Sequence, residues 1–209
     1  MNTESQPAAA MRYDLRTIAS WIKPGSRVLD LGCGSGELLC HLQEDKGIRA
    51  TGIEIDEEKA SQAILNGVNV IHGDIHEEIQ DFPSTCFDYV ILSQTLQQVI
   101  RPAFLLHEML RVGNKGIVSF PNFSFIANRI FFFLKGRAPI SRDLPYEWFD
   151  TPNIRVIPLK DFHRFCHIFG FSILKYTAIL SRGEEKGIRI RFLANLFATY
   201  GVYLLGRKA

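Results

Sequence analysis

The sequence predicts an α/β fold, a doubly wound and mostly parallel sheet, and three observations carry that expectation. Apolar runs of strand length alternate with amphipathic stretches over the first 120 residues, the pattern of repeated βαβ units. One run, Val28-Leu29-Asp30-Leu31, passes directly into Gly32-Cys33-Gly34-Ser35-Gly36, a turn in which bare main chain can bend with positive φ. Three acids, Asp30, Glu54 and Asp74, close successive strand-like runs, at the sheet edge where open α/β folds bind ligands.

Taken in order, residues 1–10 are small and polar and are expected to form a loose tail, with one domain over 11–209. Leu15, Ile18, Ala19 and Ile22 give Tyr13 to Ile22 a helical spacing that ends before Pro24-Gly25. Arg27 to Leu31 reads as the first strand. The next helix carries Leu38, Leu39 and Leu42 on one face, and Gly47 stops it. Arg49 to Ile55 is a second strand, followed by a helix over Glu57 to Asn66 with Asp56 as its N-cap. Val68 to Ile71 is a third strand and Phe87 to Leu92 a fourth, with Ser93-Gln94-Thr95 at its tip. A helix over Pro102 to Val112, with Phe104, Leu105, Met109 and Val112 as core positions, precedes a fifth strand, Gly116 to Phe120.

Beyond Pro121 the alternation loosens. Phe123 to Leu134 is a candidate helix, and the Pro- and aromatic-rich stretch from Lys135 to Asn153 is too long for a casual connection. Its Tyr146, Trp148 and Phe149 either cover a ligand cleft or pad the sheet. Leu159 to Phe169 is a helix with Phe162, Phe165, Cys166 and Phe169 on one face. Phe171 to Ile179 and Thr199 to Leu205 supply the last two of seven strands, and the charge run Arg182-Gly183-Glu184-Glu185-Lys186 is a solvated turn between them.

Composition narrows the function classes. At 209 residues the chain is long enough for one well-buried core. Its 46% apolar content and net charge of +2 are those of an ordinary globular protein. The pI near 8.4 comes without a dense basic stripe, which argues against nucleic acid. Cys33, Cys40, Cys86 and Cys166 form no regular framework and are expected as free thiols. Met1 to Ala10 lacks the basic start and apolar core of a signal peptide. The apolar stretch around Phe123 to Leu134 is too short for a bilayer and is broken by Ser124, Asn128 and Arg129. A cytoplasmic protein with no membrane contact is the expectation. His163, Cys166 and His167 share one predicted helix, but no fourth ligand accompanies them, so no metal site is assigned.

The glycine turn selects among anionic and zwitterionic ligands. The dinucleotide fingerprint spaces its glycines G-x-G-x-x-G around a pyrophosphate. Here the third glycine comes one residue earlier, and an acid stands two residues before the first. Asp30 suits an ammonium and would repel a pyrophosphate. The bland alternative is a glycine-rich turn with no ligand. The pattern Asp-x-Gly-x-Gly-x-Gly resembles motif I of the class I S-adenosylmethionine-dependent methyltransferases. That resemblance implies a Rossmann-like fold with an antiparallel last strand, and the long aromatic connection over Lys135 to Asn153 is read as a cap inserted after strand five. The resemblance also implies S-adenosylmethionine or S-adenosylhomocysteine as cofactor. The binding set it implies is Asp30, Gly32, Cys33, Gly34 and Gly36 at the turn, with Glu54, Ile55, Asp74, Ile75 and Ser93 at the later strand ends. Glu54 can accept both hydroxyls of a ribose. Asp74 is either an acid for the adenine amino group or a turn aspartate.

Longer stretches are more specific. Residues 14–34, Glu108-Met109-Leu110-Arg111-Val112-Gly113, Phe120-Pro121-Asn122-Phe123, Leu144-Pro145-Tyr146 and Thr151-Pro152-Asn153-Ile154 resemble the MetW family of methionine-biosynthesis proteins, over about Met11 to Arg207. The resemblance implies homoserine O-acyltransferase (MetX) as partner and favours a non-catalytic activator over an enzyme. No Asn/Asp-Pro-Pro-Tyr follows the fourth strand and no Pro-Cys nucleophile occurs, so no catalytic residue is assigned. A small-molecule methyltransferase is the alternative, since methyl transfer can run on positioning alone. A homo-oligomer is left open.

Overall fold

The computed structural model describes residues 11–141, 144–183 and 186–208; the tail expected over 1–10 lies outside them. The elements follow in the order α1 (Tyr13–Ala19), β1 (Arg27–Leu31), α2 (Glu37–Lys46), β2 (Arg49–Glu54), α3 (Glu57–Leu65), β3 (Asn69–His72), α4 (Ile75–Glu78), β4 (Phe87–Ser93), α5 (Pro102–Val112), β5 (Gly113–Pro121), α6 (Ile126–Lys135), α7 (Leu159–Phe169), β6 (Phe171–Ser181), β7 (Gly187–Ile190), α8 (Ala194–Phe197) and β8 (Tyr200–Arg207). Single turns of 3-10 helix cover Ile79–Asp81 and Leu96–Gln98.

Local chemistry sets the helix ends. Proline opens α5 at a position whose N–H would have no partner. Asp56 caps α3 by accepting the Lys59 N–H. Gly47, at φ 58°, ends α2, and its N–H returns to the Gln43 carbonyl. Lys46, in the last turn of α2, donates through Nζ to the carbonyls of Ala19 and Ile22 and so ties the α1 end to α2.

One sheet holds all the strands, in the order β3-β2-β1-β4-β5-β8-β6-β7. Strands β1 to β5 are mutually parallel. β8 runs antiparallel between β5 and β6. The sheet therefore has eight strands where the sequence predicts seven. The addition is β7, an edge strand paired antiparallel with β6. Its four residues, with Gly187 and Arg189 alternating with isoleucines, bury no continuous face, which is the signal a strand is read from. The Arg182 N–H donates to the Lys186 carbonyl and closes the β6–β7 hairpin where a solvated turn is predicted; Glu184 and Glu185 of that run lie outside the described residues.

Alternation along each central strand feeds two cores, as expected for a sheet covered on both faces. Val28, Tyr89, Ile91 and Ile117 join Leu15, Ile18, Leu38, Leu39 and Leu42 on the α1–α2 side. Leu29, Leu31, Val90, Leu92, Val118 and Phe120 join Leu105, Met109 and Phe162 on the α5–α7 side. There Phe120, Phe162 and Tyr203 form an aromatic cluster with ring centroids 4.6–5.5 Å apart. Phe169, predicted to face this core, is 43% exposed. It is the last residue of α7 and rests on Phe165, at the margin of the sheet. All four cysteines are free. Among the described residues, no helix is long and apolar enough to cross a membrane, and no three His, Cys, Asp or Glu side chains form a metal-holding group.

Candidate functional site

The strand order reverses between β1 and β4, and a crevice at such a switch point is the usual ligand position. A cleft of 430 Å³ opens there, along the carboxyl ends of β1 to β4. Of the residues singled out from the sequence, Gly32, Gly34, Glu54, Ile55, Asp74, Ile75 and Ser93 line it. Asp30, Cys33 and Gly36 do not.

The glycine turn is stitched to β2. Gly32 and Cys33 both donate their N–H groups to the Ile53 carbonyl, at 2.8 and 3.1 Å. Gly32 sits at φ 74° and a Cβ there would meet Thr95 Oγ1 at 2.9 Å, so conformation and space both exclude a side chain. At Gly34, φ 56°, the missing Cβ would project into open space, leaving main chain that a ligand can approach. The Gly34 N–H donates to Glu54 Oε2 at 2.8 Å, and the Asp56 N–H to Oε1 at 3.0 Å. The buried Glu54 is thereby fixed at the strand tip with lone pairs still open on both oxygens.

Asp30 lies beneath the turn, 4% exposed. Its Oδ1 is buried with no hydrogen-bond partner. Burial first, and the neighbouring charge of Glu54 second, push its carboxyl up to about 7. A carboxylate so placed favours a cation arriving above it. Cys33 turns away from the cleft, packing where a side chain on Gly52 would otherwise lie. Burial, then Asp30 and Glu54, push its thiol up to about 12, so it is unreactive. Gly36 caps α2 from the left-handed region and closes against Val68 and Ala63.

At the other end of the cleft Asp74 combines two of its predicted features. It caps α4 by accepting the His76 N–H at 2.7 Å through Oδ1, and it still lines the cleft. Ile55, 66% exposed, offers a bare apolar surface beside it.

Sequence reasoning missed the facing wall, Gln98, Val99 and Ile100, and also Lys59 and His76. The one signal available was the Ser93-Gln94-Thr95 tip. Gln94 is held at φ 53°, in a region non-glycine residues seldom adopt. Its amide donates to Asp14 Oδ2 at 2.8 Å, and Asp14 is buried in a paired contact with Arg12. The insertion after β5 braces the same wall, because the Ile154 and Arg155 N–H groups both donate to the Gln97 carbonyl at 2.9 Å. The Arg155 guanidinium donates to the carbonyls of Val99 and Ile100. Tyr146, Trp148 and Phe149 are exposed and do not pad the sheet.

A turn with an acid beneath it, a fixed carboxylate and an apolar end can hold a ligand carrying an ammonium, a vicinal diol and a flat ring. A family model described as methionine biosynthesis protein MetW matches residues 12–205. The chain belongs to the MetW family. Within reach of that family lies the bifunctional methionine biosynthesis protein MetXA/MetW of Rhodopirellula baltica, 36% identical over 173 residues, which cover 77% of this chain and 28% of that protein. The chain spans between 25% and 43% of the length of the curated relatives it matches. An S-adenosylmethionine-dependent methyltransferase of Thermotoga maritima superposes with TM-score 0.67 at 18% identity, covering 94% of this chain and 87% of that one. The [4+2]-cyclase SpnF superposes with TM-score 0.66 at 17% identity, covering 98% and 86%. This MetW member therefore has the Rossmann-like class I methyltransferase fold, a scaffold that does not by itself fix a reaction.

Proposed function

We propose that this chain binds S-adenosylmethionine or S-adenosylhomocysteine in the cleft and acts as partner and activator of homoserine O-acyltransferase, in the cytoplasm. The observation that carries the partnership is the relative whose name joins MetXA and MetW in one protein. For the cofactor, the support is the fit of the residues. The orphaned Oδ1 of Asp30 suits the ammonium, the open main chain at Gly34 admits close approach, and Glu54 suits the ribose diol. Ile55 and Ile75 line the same cleft and suit the adenine ring, and Asp74 suits its amino group. The cofactor would bring an activated methyl group; the chain's own residues bind and orient it.

The test is to titrate homoserine O-acyltransferase with this protein and follow turnover, with and without S-adenosylmethionine. Rising turnover is the expected result. Unchanged turnover at saturating protein, with methylation of a small molecule by this chain alone, would favour the second reading, an S-adenosylmethionine-dependent methyltransferase. The fold of its structural neighbours supports that reading.

Asp30 gives the cofactor reading a pH signature. In the free protein its carboxyl titrates near 7, above the ordinary value of 3.8. Between those values the folded chain holds a proton that the unfolded chain has lost, so this group makes stability fall as pH rises through the window. A bound ammonium would restore the carboxylate. Binding below pH 7 must then release a proton, and affinity should rise from pH 5.5 to 7 and level off above. Calorimetry in two buffers of different ionisation enthalpy measures that proton. A flat affinity with no proton release at pH 6 would remove Asp30 from the site.

A further inference from the structure

The face built from α6 and α8 leaves large apolar side chains open to solvent. Phe133 is 86% exposed and Phe192 88%, with Phe132, Leu134 and Leu193 also exposed. Large apolar side chains exposed in such number on neighbouring segments, which share one cavity through Arg129 and Leu193, mark an interaction site. The consecutive residues Ile130-Phe131-Phe132-Phe133-Leu134 place apolar groups on every side of α6, whose one buried residue is Asn128. Apolar helix surface this broad is ordinarily enclosed. Beside it an open cavity of 490 Å³ runs between Arg129 of α6, the start of α7, and residues Leu193 to Leu196.

Charge gives this face a sign. No Asp or Glu occurs between Ile126 and Ser141, or between Lys186 and Lys208. Arg129, Lys135, Lys160 and Arg191 surround the apolar surface, and none has an ion-pair partner among the described residues.

We infer that this face is where homoserine O-acyltransferase docks, with α6 entering an apolar groove on that enzyme whose rim is acidic. The inference rests on the partnership proposed above and names its surface. A second copy of this chain fits worse, because a two-fold contact would set these cations against each other. A bilayer fits worse too. A helix lying in a membrane surface keeps an unbroken polar face toward water, and on α6 the exposed Phe132 stands among Asn128, Arg129 and Lys135, the residues that would form one. A relative that joins the two proteins in one polypeptide would hold such a groove at high local concentration.

The test compares three proteins for binding to homoserine O-acyltransferase: the wild type, Phe133→Asp, and the pair Arg129→Glu with Lys135→Glu. Calorimetry with S-adenosylhomocysteine serves as the fold control, and Phe133 is too exposed for its loss to unfold the chain. Phe133→Asp is expected to weaken binding roughly tenfold or more, the scale of an interface anchor, with cofactor affinity unchanged. The charge pair is expected to slow association and flatten its salt dependence. Unchanged affinity in all variants would overturn the surface and leave the partnership standing. A wild type that does not bind the acyltransferase would overturn both. If Phe133→Asp instead abolishes a dimer in sedimentation, or cosedimentation with phosphatidylglycerol vesicles, the occupant is a second copy or a bilayer and the inference falls.

Discussion

Glu54→Ala is expected to weaken S-adenosylhomocysteine binding by on the order of 1.5–3 kcal/mol, the range for hydrogen bonds to a charged group. That is a loss of roughly one to two powers of ten in affinity. Two effects add. The proposed ribose contacts disappear, and the Gly34 and Asp56 N–H groups lose the oxygens that hold them at 2.8 and 3.0 Å. The second effect loosens the glycine turn before any ligand arrives. Glu54→Gln keeps an acceptor for one of these N–H groups and should fall between. Calorimetry on the three proteins decides the matter: equal affinities would mean that the cofactor lies elsewhere.

Phe120→Ala should cost more, about 3–5 kcal/mol of folding stability, the usual range for emptying a buried aromatic site. Phe120 is wholly buried on β5, 4.8 Å from Phe162 of α7 and stacked 5.5 Å from Tyr203 of β8. Three elements far apart in sequence meet in that contact, so the cavity cannot close by a local shift. Domains of ordinary stability have about 5–15 kcal/mol in total, and the variant should unfold at a much lower urea concentration. A loss below about 1 kcal/mol would show that the aromatic cluster is loosely packed.

Parts of this molecule with their own periodicity and punctuation were legible in the sequence. α5 and α7 begin and end where predicted, since each has an apolar face and a proline before or at its first turn. The acids closing β1 and β2 and the glycine turn between them are local features too. What escaped had no local period. α4 and α8 are four residues long, one helical turn, too short for an amphipathic pattern. The Gln98–Ile100 wall of the cleft is the end of a single 3-10 turn and the irregular chain after it, whose place is set by Arg155 and the Gln97 carbonyl, contacts across more than fifty positions. Cys33 sits in the motif yet faces away, because Gly52 on the neighbouring strand leaves room for its sulfur. Nothing in the neighbourhood of either residue announces that pairing.

The insertion of β8 between β5 and β6 has a consequence for how the chain assembles. β5 pairs with β8 from Gly116↔Leu205 to Pro121↔Tyr200, and β6 pairs with the other edge of the same strand. During synthesis β5 and β6 must both wait, their inner edges unsatisfied, until the last strand emerges. Contacts of such sequence separation are slow to form because the loop must close before they contribute. Meanwhile two apolar strand edges stand open to other chains. Completion of the sheet is thus a late step, and a chain shortened before Tyr200 would leave a gap inside the sheet, not a frayed end. Refolding yield should accordingly depend on protein concentration more steeply than equilibrium stability does.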